Sequence, residues 1–170
     1  MRSFKPSRPK KKPQGFSLIE AVMAIVIISI LALSIMFFTV PAMNLWAYQA
    51  FEQGPVGEAK LAMMRMSREI NQVKDRASIS TATAGAFDFT DANNQSIDYA
   101  LNGAILERTA GSGAKALAKS ISALQFTYYN KAGGSPAASA DIRRIEIQLT
   151  VTAGGKTKTL RSMIRPRNLF

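Results

Sequence analysis

Residues 15–40 read Gly15-Phe16-Ser17-Leu18-Ile19-Glu20 and then AVMAIVIISILALSIMFFTV, a run without a single charge from position 21 to position 40. At about 1.5 Å per residue, a helix over that run rises roughly 30 Å, the thickness of a bilayer's hydrocarbon core. A soluble helix keeps a polar face, whereas the only polar side chains here are Ser29, Ser34 and Thr39. The run therefore reads as a membrane-spanning helix. The rest of the 170-residue chain leaves room for one small soluble domain.

Working outward, the charge on the N-terminal side is one-sided. Arg2, Lys5, Arg8, Lys10, Lys11 and Lys12 precede the apolar run with no acidic residue among them. A Lys/Arg cluster directly before a membrane helix stays in the cytoplasm, so residues after Val40 are expected on the far side of the membrane. The same cluster accounts for much of the formal charge of +11; without residues 1–15 the chain holds 16 Lys and Arg against 11 Asp and Glu, a net of +5. The basicity is thus chiefly a targeting feature, and nucleic acid is disfavoured as a partner. An ordinary secretory signal has a shorter apolar part and is cut after it at small residues. Here glycine and an aromatic residue come before the apolar run, and a lone carboxylate stands near its start.

The segment Gly15-Phe16-Ser17-Leu18-Ile19-Glu20-Ala21 resembles the type III signal of type IV prepilins and pseudopilins. That resemblance covers about the first 40 residues and implies cutting by a prepilin peptidase between Gly15 and Phe16, then N-methylation of Phe16 by the same peptidase/methyltransferase. Glycine suits a crowded protease site because it has no Cβ, and a cut ahead of the apolar run leaves the anchor attached. Glu20 is the informative residue, because a carboxylate in lipid is costly and the helix dipole offsets only a little of that cost. The resemblance implies a partner for it: the Phe16 amino group of a neighbouring subunit, met as helices bundle into a filament core. The bland reading is a carboxylate solvated at the headgroup boundary.

Past Pro41, the positions Val56, Ala59, Met63, Met66, Ile70 and Val73 recur at spacings of three and four, which predicts one apolar helix face. Lys60, Arg65, Arg68 and Lys74 take the other face, while Gly54, Pro55 and Gly57 are expected to bend or split the helix. The remainder reads as short strands. Phe87 and Phe89 alternate, as do Ile97, Tyr99 and Leu101, followed by an Asn102-Gly103 turn and a strand over residues 105–109. After a Gly/Ala-rich connection come Leu124, Phe126 and Tyr128, a flexible-looking stretch at 131–140, and a terminal hairpin turned at Gly154-Gly155. A helix followed by antiparallel strands predicts an α+β domain with the amphipathic helix on the sheet, the pilin-like fold.

The outline of meander, aromatic strand, loop and hairpin ending in Arg165-Pro166-Arg167-Asn168 resembles the J-type minor pseudopilins of type II secretion and related minor pilins. Two features depart from major pilins: the first proline after the signal is Pro41, and no cysteine pair closes a C-terminal loop.

Candidate chemistry is sparse. The chain has neither histidine nor cysteine, which removes the commonest general base, the cysteine nucleophile and thiolate metal sites. No catalytic residue, metal site or cofactor is expected. Residues 91–95 (Asp91-Ala92-Asn93-Asn94-Gln95) faintly resemble a calcium loop but lack its glycine and its glutamate, so a plain turn is expected. Met63, Met64 and Met66 read as packing. Arg143, Arg144, Lys156, Lys158, Arg161, Arg165 and Arg167 suggest a basic patch, although solvated strand faces commonly carry such residues and no nucleic-acid module accompanies them.

The expected organisation is a cleaved leader over 1–15, a transmembrane and filament-core helix over 16–40, an amphipathic helix region over 41–76 and a periplasmic β domain over 77–170. The expected function is a minor pilin or pseudopilin of a type IV pilus or type II secretion pseudopilus, at the tip or in initiation, and not an enzyme. Its partners would be the prepilin peptidase, other pilins, an inner-membrane assembly platform and the lipid bilayer. The competing expectation is a permanently anchored periplasmic protein that binds a ligand or DNA and never polymerises.

Overall fold

The computed structural model describes residues 15–111 and 113–169, so the leader reading over residues 1–14 lies outside the described residues. The chain divides into two compact units between Trp46 and Ala47.

The first unit is helical from Leu18, where α1 (Leu18–Gln53) begins. Among the described residues this is the one helix long and apolar enough to cross a membrane, and none of that apolar stretch is buried. Val22, Ile25, Ile28, Leu31, Ile35 and Phe38 are all exposed. Apolar area left in water forfeits about 25 cal/mol for each Å², so a surface of this kind exists to be covered by lipid or by other helices. The three polar residues are satisfied internally: Ser29, Ser34 and Thr39 donate their hydroxyls to the carbonyls of Ile25, Ile30 and Ile35 at 2.8, 2.9 and 2.8 Å. Pro41 lies inside α1 without ending it.

The second unit opens on the last turns of α1. The helix is split at Gly54, whose ψ of −101° departs from helical geometry. The hydrogen-bond spacing nevertheless runs across the break, Gly54 N–H donating to Ala50 O and Glu58 N–H to Gly54 O, both at 3.0 Å. Pro55 then occupies the first position of α2 (Pro55–Ile70), where its missing N–H has no intrahelical partner to lose. Only Gly54 interrupts; Gly57 is helical. The expected apolar face is buried as Val56, Ala59, Met63, Met66 and Ile70, with Ala62 added. Val73 is buried too, but beyond the helix end, bridging to Asp91.

The strands form two antiparallel sheets. The first is a meander of β1 (Ile79–Ala82), β2 (Ala86–Thr90), β3 (Ser96–Asn102), β4 (Ile105–Ala110) and β5 (Gly113–Ala118), adjacent in that order. The second orders β6 (Ile121–Tyr129), β7 (Arg144–Ala153) and β8 (Lys156–Ile164). The Gly/Ala-rich stretch expected as a connection is thus strand β5, and β1 is a further strand that alternation did not reveal. A single turn of 3-10 helix, η1 (Arg76–Ser78), leads into β1, and another, η2 (Ser139–Asp141), overlaps the end of the stretch 131–140 read as flexible. Helix α2 packs on β5, β7 and β8, which gives the α+β, pilin-like arrangement of helix on antiparallel sheet.

The core follows from strand alternation. On β7, Ile145, Ile147, Leu149 and Val151 are buried while Arg144, Glu146, Gln148 and Thr150 are not. Aromatic rings join the sheets: Phe87 of β2 lies 5.2 Å from Phe89 and 5.7 Å from Phe126 of β6, centroid to centroid. Tyr128 donates its hydroxyl to Thr83 O at 2.8 Å, tying β6 to the β1–β2 turn. Beside Asp91, the buried polar side chain is Arg108, held in a part-buried knot in which Glu69 of α2 accepts from Tyr99 of β3 and from Arg108 Nε of β4, the latter at 2.7 Å.

Candidate assembly and processing site

The residues singled out by sequence gather at the N-terminal end of α1. Gly15 and Phe16 precede the helix in extended or irregular backbone and both are exposed, Phe16 to 88%. No described residue comes within 4 Å of a Cβ built at Gly15.

Glu20 lies in the first turn, but it does not stand alone. Ser17 N–H and Ser17 Oγ donate to Glu20 Oε2 at 2.9 and 3.0 Å, and Glu20 N–H donates to Ser17 Oγ at 3.3 Å. Ala21 N–H donates to Ser17 O at 3.2 Å, which makes Ser17 the cap of the helix. This is a reciprocal capping box, and it satisfies N–H groups that otherwise have no partner at a helix start. Sequence reading treated Glu20 as an isolated charge and missed Ser17. The signal was present as serine, two residues, then glutamate ahead of an apolar run. The box uses one carboxylate oxygen; no described residue bonds the other, so one face of the carboxylate remains open to a second donor.

The remaining candidates separate. Asp91 directs its carboxylate to its own turn, accepting from Asn93 N–H at 2.9 Å and Gln95 N–H at 2.8 Å, while Asn94 adopts a φ of 63°. That is the plain turn expected. Met63 and Met66 are buried in the core, whereas Met64 is exposed. The suggested basic patch is broken up: Lys158 pairs with Glu52 and Lys156 stands over the ring of Tyr48 at 5.4 Å. Arg143, Arg144 and Arg165 do come together, joined by Arg76 and Lys131, which the sequence reading had left aside.

Compared with known families, residues 10–36 match the model of the prokaryotic N-terminal methylation motif. No curated protein matches the chain. The motif and the exposed apolar helix together support a prepilin-like chain anchored in the inner membrane, a pilin or pseudopilin subunit that is structural rather than catalytic. The motif further implies processing by a prepilin peptidase and assembly with other pilins.

Proposed function

We propose that the chain is a minor pilin or pseudopilin cut between Gly15 and Phe16, N-methylated on Phe16, and drawn into a filament through residues 16–40. The observation that carries this reading is the unburied apolar stretch of α1, whose first turn holds a carboxylate, in a chain whose hydrophobic core draws on α1 only at Phe51. Glu20 keeps a free lone-pair direction beyond its capping box, and a cationic N-terminus on an adjacent helix would complete it. Apolar packing among helices replaces lipid contact during that transfer, and the Glu20 pairing sets the register between subunits. With residues 1–15 on the cytoplasmic side, the domain from residue 77 onward faces the periplasm, carried by the helical region 41–76.

Placement among minor pseudopilins of the J type, at a tip or in initiation, draws on the terminal segment. After β8 the chain runs through Arg165-Pro166-Arg167-Asn168, with Asn168 Nδ2 donating to Val73 O at 3.0 Å and Leu169 buried. The segment 165–169 is thus fastened by packing and hydrogen bonding, without a cysteine pair. An inner-membrane assembly platform would then engage the processed subunit.

The test is the intact mass and N-terminal residue of the protein taken from membranes with and without prepilin peptidase. N-methylated Phe16 only in its presence supports the reading. Met1 retained under both conditions overturns it in favour of a permanently anchored binding protein.

A further inference from the structure

Two concave surfaces of the second unit meet at Arg165. The first, an arginine cleft of about 430 Å³, is lined by Arg76, Asn130, Lys131, Arg143, Arg144 and Arg165. The second, of about 540 Å³, is lined by Arg68, Asn71, Gln72, Arg165 and Arg167. Among the described residues neither lining holds an acidic side chain, and six of the seven cations are arginine. The ion pairs among the described residues use Lys60, Arg65, Arg108 and Lys158, none of which lines either cleft. Two carboxylates next in sequence are engaged elsewhere. Asp75 accepts from Ser78 N–H and Oγ at 2.8 and 2.6 Å, and Glu146 accepts from the Tyr129 hydroxyl at 2.8 Å.

The cations come from segments far apart in the chain, and the fold holds them together. Helix η1 packs on η2, which carries Arg76 toward the start of β7. Arg143 Nη1 donates to the carbonyls of Ala140 and Ile142 at 2.8 and 2.9 Å. Arg144 lies over the Tyr129 ring at 5.6 Å, and Gly133, at a φ of 94°, passes so near that a Cβ there would stand 2.9 Å from Arg144 Nη2. Past β8, Pro166 and Leu169 are buried and Asn168 holds Val73 O, whereas Arg165 and Arg167 are exposed. An anchored backbone thus presents two guanidinium groups, and Arg165 belongs to both clefts. Gathering like charges in concave surfaces costs self-repulsion and focuses a positive field, which an anionic ligand relieves.

We propose that the two clefts in series bind a linear acidic polysaccharide, its sugar carboxylates on the guanidinium groups and its hydroxyls on the amides of Asn71 and Gln72. Guanidinium forks match carboxylates in bidentate geometry, which explains arginine in preference to lysine. Asn71 is half-buried and Gln72 exposed, and each amide offers donors and an acceptor to a ligand in the second cleft. A pocket of about 300–1,000 Å³ takes a drug-sized ligand, so two joined clefts suit a chain of several sugars better than a lone anion. Nucleic acid fits less well. Clefts of this size do not admit a duplex, and a single strand binds by stacking its bases on aromatic faces. Tyr129, the ring beside Arg144, has its face taken by that arginine and its hydroxyl by Glu146. Polysaccharide binding goes beyond the assembly reading and does not rest on it.

The test uses the full-length chain in detergent, with end-labelled hexagalacturonate as the probe and fluorescence anisotropy as the readout. Saturable binding is expected, weakening as salt rises to about 1 M. Digalacturonate should bind at least roughly tenfold more weakly, because it cannot reach across Arg165 into both clefts. Arg165→Gln should lower affinity for the hexamer by roughly tenfold, the loss of a charged hydrogen-bonding group. Arg165→Lys keeps the charge without the fork and should also weaken binding. Lys115→Gln combined with Lys119→Gln, which removes two charges outside both clefts, should leave affinity within about twofold.

Absence of binding overturns the proposal. Equal affinity for the dimer and the hexamer, full affinity in Arg165→Lys, or a loss in the Lys115 and Lys119 variant as large as that in Arg165→Gln overturns it too, since each shows attraction by charge alone. Tighter binding of a single-stranded oligonucleotide of the same charge overturns it in favour of a nucleic-acid surface. All of these are read on the isolated chain, so any failure leaves the assembly reading to the mass of the processed N-terminus.

Discussion

Tyr99 and Arg108 are direct cross-strand partners on β3 and β4, and both donate to the same oxygen of Glu69 on α2. The other oxygen of Glu69 accepts from Arg65 Nε at 2.9 Å, one turn earlier on the same helix. One carboxylate therefore fastens the helix to two strands of the first sheet.

Removing that carboxylate leaves Arg108 buried without its counter-ion. Breaking a buried pair from one side costs about 3 kcal/mol, most of it from the stranded charge. Glu69→Ala is expected to lose about that much, measured by urea unfolding of the full chain in detergent, whereas Tyr99→Phe should lose only about 1.5 kcal/mol, one hydrogen bond to a charged acceptor.

The knot also sets a dependence on acid. Burial by itself would raise the Glu69 carboxyl, but the hydrogen bonds from Tyr99, Arg108 and Arg65 outweigh it and hold the group below the usual carboxylate range. A carboxyl whose folded value lies below its unfolded one adds stability that is complete above the unfolded value, near 4.3, and fades as pH falls through the folded value. Stability measured from about pH 7 down to about pH 3 should therefore decline at the acid end in the native chain. Glu69→Gln should be less stable at neutral pH yet flatter in acid, because its amide does not titrate.

Two glycines near the helix break should respond oppositely to alanine. At Gly54 a Cβ would lie 2.9 Å from Ala50 O, a backbone atom that cannot swing aside. Gly54→Ala should destabilise by about 1–3 kcal/mol as the break is forced open. At Gly57 the nearest atom is Glu52 O at 3.7 Å, ordinary contact. Gly57→Ala should stabilise α2 by about 1 kcal/mol, read from the unfolding midpoint.

Ser17→Ala removes the cap while leaving Glu20 in place. The first turn of α1 should loosen by about 1 kcal/mol, seen as faster hydrogen exchange at Leu18, Ile19 and Glu20 in bilayers, with membrane insertion unchanged. Slower assembly in the same variant would show that the capping box presets the carboxylate for its partner. Normal assembly would confine Ser17 to helix initiation.

What could be read from sequence was what repeats at short range. The terminal hairpin announced itself because β7 alternates buried aliphatic with exposed polar residues and turns at two glycines of positive φ, 58° at Gly154 and 72° at Gly155. Strand β5 did not, since Gly113-Ala114-Lys115-Ala116 is exposed and its place in the sheet comes from pairing with β4 rather than from side chains. Strand β1 buries only Ile79 and offers no period to detect.

The candidate site divides in the same way. Gly15, Phe16 and Glu20 were visible because they cluster within six residues. Ser17 was overlooked because Glu20 was considered as a charge and not as a hydrogen-bond acceptor. The arginine cleft draws on Arg76, Lys131 and Arg165, which only the fold of the chain makes neighbours.

The hydroxyls of Ser29, Ser34 and Thr39 each close on the carbonyl one turn back. Such a helix brings the partners of its own polar groups with it. A stem whose polar atoms depended on water or on a neighbour would have to release those partners on leaving the bilayer and find equivalents on arrival. On the assembly reading proposed above, residues 21–40 would meet lipid and protein with the same finished surface, leaving Glu20 as the polar group of the stem that still takes a partner.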